Sequence, residues 1–373
     1  MKRNWLSYMC MAALLSGALT SCNESSFLNL SDPNHFTESN FWKDKADAES
    51  ALAAAYSPIK GAMYGYFGAF DGWLNLNGRG DDIFTIKGEE VPMWNIANFL
   101  NSPSTGNDLY GALYSGIQRA NIVLRYIDQV PASGITEEDR SMIKGEALFL
   151  RGYQYFLLVN NYKEVPLRLI PSNEDETNKG PASEAALWTQ VEEDLGNAIK
   201  CNLPVERTTA KERVTKGAAI AMLGKVYATQ HRYPEAKQLL GTLLKAPYSY
   251  ELIDNFGKNF TNEDEFNKES VYEIAYSPDG EYSWSNESGI CLGCYIPQFT
   301  GPVKSGGWAK LMPNSLIVGE FTKETRPSDA DTKFDRRMYA SLFFDAANYG
   351  DKVPNEKWYG NNYSMDELLE GNE

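Results

Sequence analysis

The sequence predicts a mainly α-helical protein, a scaffold of paired helices interrupted by two loop-rich aromatic stretches. Three observations carry this reading. Apolar residues recur at spacings of three and four over most of the chain. One segment matches the tetratricopeptide helix-pair pattern. Residues 64–106 and 277–310 follow neither the helical nor the strand period.

Along residues 46–63, Ala48, Leu52, Ala55, Tyr56, Ile59 and Met63 share one helix face, and Pro58 should kink the helix or end it early. Residues 107–128 repeat the pattern with Leu109, Leu113, Ile117, Ala120, Leu124 and Ile127. Thr136 and Asp139 resemble a capping box opening a third helix. That helix carries Ile143, Ala147, Leu150 and Leu157 on one stripe and Phe149, Tyr153 and Phe156 on another, so it should be central and buried on two sides. Val165-Pro166 forces extended backbone and stops it. Ser183 is a suitable N-cap for the next helix, with Leu187, Val191, Leu195 and Ala198 inward. Residues 215–230 form another, and Pro234 sits in the first turn of its partner, which carries Ala236, Leu239, Leu240, Leu243 and Leu244. In this pair Leu223-Gly224-x-x-Tyr227, with Ala236 nine residues on, fits the tetratricopeptide spacing: small residues for close approach and a tyrosine filling the gap.

The N-terminus reads as a signal for export. Lys2 and Arg3 precede an apolar run from Trp5 to Leu15, and the segment closes on Leu19-Thr20-Ser21-Cys22. The run is shorter than the ~20 residues a membrane span needs. Leucine, two small residues and cysteine form a bacterial lipobox, so residues 1–21 are expected to be removed and Cys22 acylated, with Asn23 to Ser26 opening a flexible leash. Loss of Lys2 and Arg3 moves the net charge from −15 to −17. Such an acidic surface excludes nucleic-acid binding through the overall field, which requires a basic patch.

Enzyme motifs are missing. His35 and His231 are far apart and neither sits in an acid-containing pattern; no nucleophile elbow or zinc-protease helix is present. Gly78-Arg79-Gly80 lacks the third glycine of a phosphate loop, and its Arg-Gly-Asp triplet is coincidental. Cys291 and Cys294 form a single C-x-x-C, too few ligands for structural zinc; a small loop disulfide or free thiols are the readings left open. Asp329, Asp331 and Asp335 lack the glycine and terminal glutamate of a calcium loop. No metal or cofactor is expected.

The aromatic stretches carry the strongest functional signal. The first holds Tyr64, Tyr66, Phe67, Phe70, Trp73, Phe84 and Trp94; the second holds Tyr282, Trp284, Tyr295, Phe299 and Trp308. Long irregular loops in compact domains are often functional. Flat aromatic faces stack on the C–H face of a sugar ring, whose hydroxyls then need donors such as arginine. At least one of these rings is expected to form an exposed platform.

The chain resembles the SusD/RagB family of surface glycan-binding lipoproteins. The resemblance rests on Phe27-Leu28, Phe41-Trp42 and Ala55-Tyr56, then on Gly116-Ile117-x-Arg119-Ala120-Asn121. Its most specific stretch is Glu146-Ala-Leu-Phe-Leu-Arg151-Gly152-Tyr153 with Tyr155-Phe156 and Val165-Pro166-Leu167, followed by Asp194-Leu195, Leu203-Pro204 and Val214 to Ala219. It implies tetratricopeptide-like helix pairs (about 40–63, 107–165 and 183–245) in one domain, 22–373. They would support a loop-rich, irregular ligand-binding lobe (about 64–106 and 277–373), and the family's placement of its site implies Trp73, Arg79, Trp94, Tyr282, Trp284 and Trp308 as glycan-binding residues, the aromatics stacking and Arg79 hydrogen-bonding. It also implies an outer-membrane lipoprotein that captures oligosaccharides, without catalysis, beneath which sits a TonB-dependent transporter as partner. Two departures follow: Asn161-Tyr162-Lys163-Glu164 replaces the glycine usual before the Val-Pro turn, and the family continues past Glu373. The last helix pairs are therefore expected to expose an apolar, aggregation-prone face. Two other readings are a helical-repeat adaptor for a protein or peptide, and a surface glycosidase using a pair such as Asp81 and Glu89.

Overall fold

The computed structural model describes residues 41–60, 72–85, 91–100, 107–172, 174–277, 293, 296–303 and 306–344. The expected signal segment, Cys22, Tyr282, Trp284, Cys291 and Cys294 lie outside these residues. The chain forms two compact units, residues 1–43 and 44–373. The first is described at Phe41 to Lys43, where the Phe41 and Trp42 rings meet edge-on at 5.3 Å.

The second unit is built on six principal helices: α1 (Lys45–Tyr56), α4 (Asn107–Tyr126), α5 (Glu137–Tyr162), α7 (Glu184–Lys200), α8 (Lys216–Thr229) and α9 (Tyr233–Leu240). Between them lie the short helices α2 (Gly72–Asn77), α3 (Val91–Ala97) and α6 (Glu174–Thr177). Each principal helix packs on the next in that order, and α1 also packs on α5. This is the neighbour-to-neighbour packing of a helical repeat. Local signals set the boundaries. The Thr136, Ser183 and Thr215 side chains each accept from a backbone N–H three residues on, capping α5, α7 and α8. Pro58 ends α1, and the chain continues as a 3-10 turn over Ser57–Lys60.

Helix α5 is central, as its two apolar stripes require. Ile143, Ala147 and Leu150 are fully buried, as are Leu113, Ile117, Leu187 and Leu195 on its neighbours. Each buried side chain of this size stabilises the fold by about 1.5–3 kcal/mol relative to exposure. The α8–α9 pair has the close approach of the tetratricopeptide pattern: a Cβ on Gly224 would lie 2.4 Å from Leu240 Cδ2, and Ala236 is buried. Two details depart from expectation. Tyr227 is half-buried with the Arg232 guanidinium 4.4 Å over its ring, so a cation–π contact covers the gap-filling face. Helix α9 ends at Leu240, which leaves Leu243 buried but Leu244 80% exposed.

Two clusters of buried polar groups in this scaffold are paired across helices. Arg151 holds Asp194 through two bonds of 2.6 and 2.8 Å and donates to Asn121 Oδ1 at 2.9 Å, while the Asn121 amide donates to the Arg168 and Ile170 carbonyls. This network joins α4, α5 and α7 to the segment after the Val165-Pro166 turn. Glu146, fully buried, accepts from the Tyr56 hydroxyl at 2.6 Å and pairs with Arg207 at 2.8 Å and Arg213 at 2.7 Å. Burial, and next the Glu146 charge, push the Tyr56 phenol well above its ordinary pKa, so it remains a donor.

The turn built without glycine is strained at Lys163. Its φ of 65° and ψ of −81°, with the Glu164 N–H bonded to the Tyr162 carbonyl at 2.9 Å, make a tight γ-turn of the unfavourable hand. Lys163→Gly relieves a conformation that costs an L-residue about 1–3 kcal/mol, set against glycine's larger chain entropy of about 0.5–1 kcal/mol. The expected net gain is about 1 kcal/mol, read as a higher denaturant midpoint with an unchanged m-value. A lower midpoint would show that the Lys163–Glu184 ion pair, 3.0 Å long and exposed, outweighs the strain.

Candidate functional site

The two stretches of the expected lobe, 64–106 and 277–373, contain helices of five to eight residues and strands of two, too short for periodicity to register. The first holds α2, the strand β1 (Ile83–Phe84) and α3; the second holds α10 (Ile296–Thr300), β2 (Met312–Pro313) and α11 (Ser315–Thr322). Helix α2 packs on α3 and on α4, which seats the first stretch against the scaffold. The two stretches are joined by an antiparallel pair, Ile83 opposite Pro313 and Phe84 opposite Met312. Asn314 reinforces the join: its N–H donates to the Asp82 carbonyl at 3.0 Å, its amide donates to the Asp81 carbonyl, and its Oδ1 caps α11.

Trp308 is presented on a buttressed loop. Its N–H donates to the Gln298 carbonyl at 2.7 Å, and the Ala309 and Lys310 N–H groups bond back to Gly301 and Phe299. The loop closes because Gly307 has no side chain; a Cβ there would sit 2.0 Å from the Gly301 carbonyl oxygen. Phe299 is fully buried beneath, and its ring meets the half-exposed Trp308 indole edge-on at 5.1 Å. This is a flat ring anchored from behind, the arrangement a stacking platform needs. Trp94 is half-exposed on α3, and the exposed Phe99 and Leu100 follow that helix in the chain. Arg79, half-exposed between α2 and β1, reaches the Asn161 side chain at 3.5 Å and so touches the end of α5. Trp73 lies on α2, with its side chain outside the described residues. Of the six sequence-predicted residues, Arg79 precedes β1 and Trp308 precedes β2, and because the pair is antiparallel they lie toward its opposite ends.

Other sequence candidates have structural partners. Asp331 pairs with Arg326 at 2.5 Å and Arg336 at 2.7 Å, and these arginines, Arg326 first, hold its carboxyl down to about 2. Asp335 caps α12 (Arg336–Ser341) through the Arg337 N–H. Among the described residues no three His, Cys, Asp or Glu side chains cluster as a metal site does. His231 is exposed, with Nδ1 2.8 Å from the Tyr233 hydroxyl. Asp81 is exposed, and Glu89 lies outside the described residues. Cys201 is a half-buried free thiol whose pKa is raised by burial. Among the described residues no helix is long and apolar enough to cross a membrane.

Sequence reasoning missed two clefts. One, of about 290 Å³, runs along α1 between Leu52, Ile59, Tyr272 and Ile274, with the Glu49–Arg213 ion pair at its rim. The other, about 260 Å³, lies near the start of α8. Both are lined partly by residues of the irregular segment 271–275.

Comparison with known proteins agrees with this architecture. Residues 81–228 match the family described as starch-binding, associating with the outer membrane, and residues 268–372 match the SusD family. A SusD-like protein of Formosa agariphila is 25% identical over 358 residues, covering 87% of this chain and 67% of its own length. A SusD superfamily protein of Bacteroides vulgatus superposes with a TM-score of 0.69 at 29% identity over 80% of this chain; the chain spans 61% of that protein's length. A laminarin-binding SusD-like protein superposes with a TM-score of 0.71 at 26% identity, over 86% of this chain and 71% of its own. With its two segments matching in order and the helical scaffold shared, the chain belongs to the SusD/RagB family.

Proposed function

We propose that the chain captures oligosaccharides at the bacterial outer-membrane surface, tethered through Cys22, and hands them to a TonB-dependent transporter without catalysing their cleavage. The observation that carries the reading is the buttressed, half-exposed Trp308 ring, on a lobe whose two segments β1–β2 joins and α2 seats against the helical scaffold. A laminarin-binding relative of the same fold supports carbohydrate as the ligand class. Stacking would supply much of the affinity and Arg79 a hydroxyl donor, with Trp73, Trp94, Tyr282 and Trp284 as further candidates from the same two stretches.

The site is tested by native affinity electrophoresis in gels containing laminarin or soluble starch. Trp308→Ala is expected to weaken retardation by about three- to tenfold, the value of one aromatic stacking partner. Unchanged retardation of both Trp308→Ala and Arg79→Ala would place the sugar elsewhere. Transporter delivery is tested separately, by recovery of a TonB-dependent transporter with the lipidated protein from outer membranes.

A further inference from the structure

We infer a second carbohydrate-binding site on the helical scaffold, in the cleft near the start of α8, that takes one or two uncharged sugar rings. It rests on the glycan reading above but shares no lining residue with the aromatic lobe. At about 260 Å³ the cleft falls just below the roughly 300–1,000 Å³ of drug-sized sites, the scale of one or two sugar rings.

The lining has the two components sugar recognition requires. Tyr248 and Tyr250 contribute a wall of nearly parallel rings, 6.0 Å apart and inclined by 12°, both half-buried. A flat apolar face of this kind matches the C–H face of a pyranose. Around it, hydrogen-bonding groups stand ready. Among the described residues the side chains of Glu206, Lys211 and Ser249 and the Tyr248 hydroxyl make no hydrogen bond or ion pair. They offer an acceptor, a strong donor and two hydroxyls to one cleft. Burial raises both phenols above their ordinary pKa, so they remain protonated donors at neutral pH.

Other groups that line the cleft are bonded to their neighbours. Lys268 is held by Glu251 at 2.8 Å, and Glu273 accepts from the Phe266 N–H at 3.0 and 3.1 Å. The Asn267 side chain bonds to Asn259 Oδ1 and the Asp264 carbonyl. A preorganised lining limits the ordering cost of a weak ligand. Carboxylates from Glu206 and Glu273 line the cleft beside Lys211 and Lys268, so an anion would meet repulsion as well as attraction. A neutral polyhydroxyl ligand uses both signs.

The test uses the full chain in laminarin and soluble-starch affinity gels, with Tyr248→Ala, Lys211→Met, Trp308→Ala and the Trp308→Ala/Tyr248→Ala double variant. Lys211 is exposed, so its substitution leaves the fold intact even if Tyr248→Ala perturbs packing. Expected are a two- to tenfold weakening, roughly, in each cleft variant and loss in the double variant of the retardation that Trp308→Ala retains. Wild-type binding in Tyr248→Ala and Lys211→Met, or complete loss in Trp308→Ala alone, overturns the second site and leaves the lobe reading standing. A wild-type chain retarded by neither polysaccharide overturns both.

Discussion

Glu146→Ala is expected to lower the unfolding free energy by about 3–5 kcal/mol, the cost of removing one partner from a buried ion pair. The fully buried Glu146 carboxylate is the shared acceptor of three donors from different parts of the chain: Tyr56 on α1 and Arg207 and Arg213 from the linker before α8. Its removal leaves the Arg207 guanidinium, whose side chain is only 10% exposed, with the Val214 carbonyl but no counter-charge, and leaves the Tyr56 hydroxyl without its acceptor. Arg213→Ala should cost less, because Glu146 keeps Arg207 and Tyr56. Arg213 is also the more exposed arginine, at 20%, and has a second partner in Glu49 at 2.8 Å. Urea unfolding followed by far-UV circular dichroism gives both values. A loss below about 1 kcal/mol for Glu146→Ala would mean that the linker relaxes and the arginines reach water, as exposed pairs do.

Asp194→Ala is the second large effect, again about 3–5 kcal/mol, because Arg151 is left charged and buried. Arg151 is 10% exposed and Asp194 2%, and their two-bond geometry is the strong form of this pairing. What remains to Arg151 is Asn121 at 2.9 Å and the Leu169 carbonyl at 3.3 Å. Asp194→Asn keeps the shape and one acceptor oxygen, so it should fall between the alanine variant and wild type. Equal losses for Asn and Ala would show that charge dominates; negligible losses for both would remove the network from the account of the fold. Because Asn121 also holds the Arg168 and Ile170 carbonyls, the alanine variant should loosen the 165–172 segment, seen as faster amide exchange there.

These two nodes explain why part of the fold was legible. The helix ends were readable because caps act within three residues: Thr136, Ser183 and Thr215 bond to backbone N–H groups of their own first turns. The two apolar stripes of α5 announced its central place for the same local reason. The family-like residues Glu146, Arg151, Asn121 and Asp194 were visible as a pattern, and the structure gives them a shared role: they are the polar joints between helices. Their partners were not visible. Arg207 and Arg213 stand in a linker that reads only as polar, more than sixty positions from Glu146, and nothing local marks the pairing.

The candidate site was legible in composition but not in geometry. Aromatic enrichment pointed to both stretches, yet their meeting depends on two-residue strands more than 220 positions apart, Phe84 and Met312. Helices of five to seven residues, such as α2 and α10, are held by tertiary contacts and carry too few residues to display a period. Trp308 could be nominated from its chemistry. That Phe299 would support it, and that Gly301 and Gly307 would close its loop, follows only from the fold. The cleft beside Tyr248 and Tyr250 was missed because its lining comes from several separated segments, none of them unusual alone.

The central claim is capture of glycan without turnover, and one measurement reads both halves. The wild-type chain is run through native gels containing laminarin, soluble starch and a wider set of polysaccharides, with reducing ends assayed in parallel. The account predicts selective retardation by at least one glycan with no rise in reducing ends. Release of product would contradict the non-catalytic reading, and migration unaltered by every polysaccharide would contradict glycan capture itself.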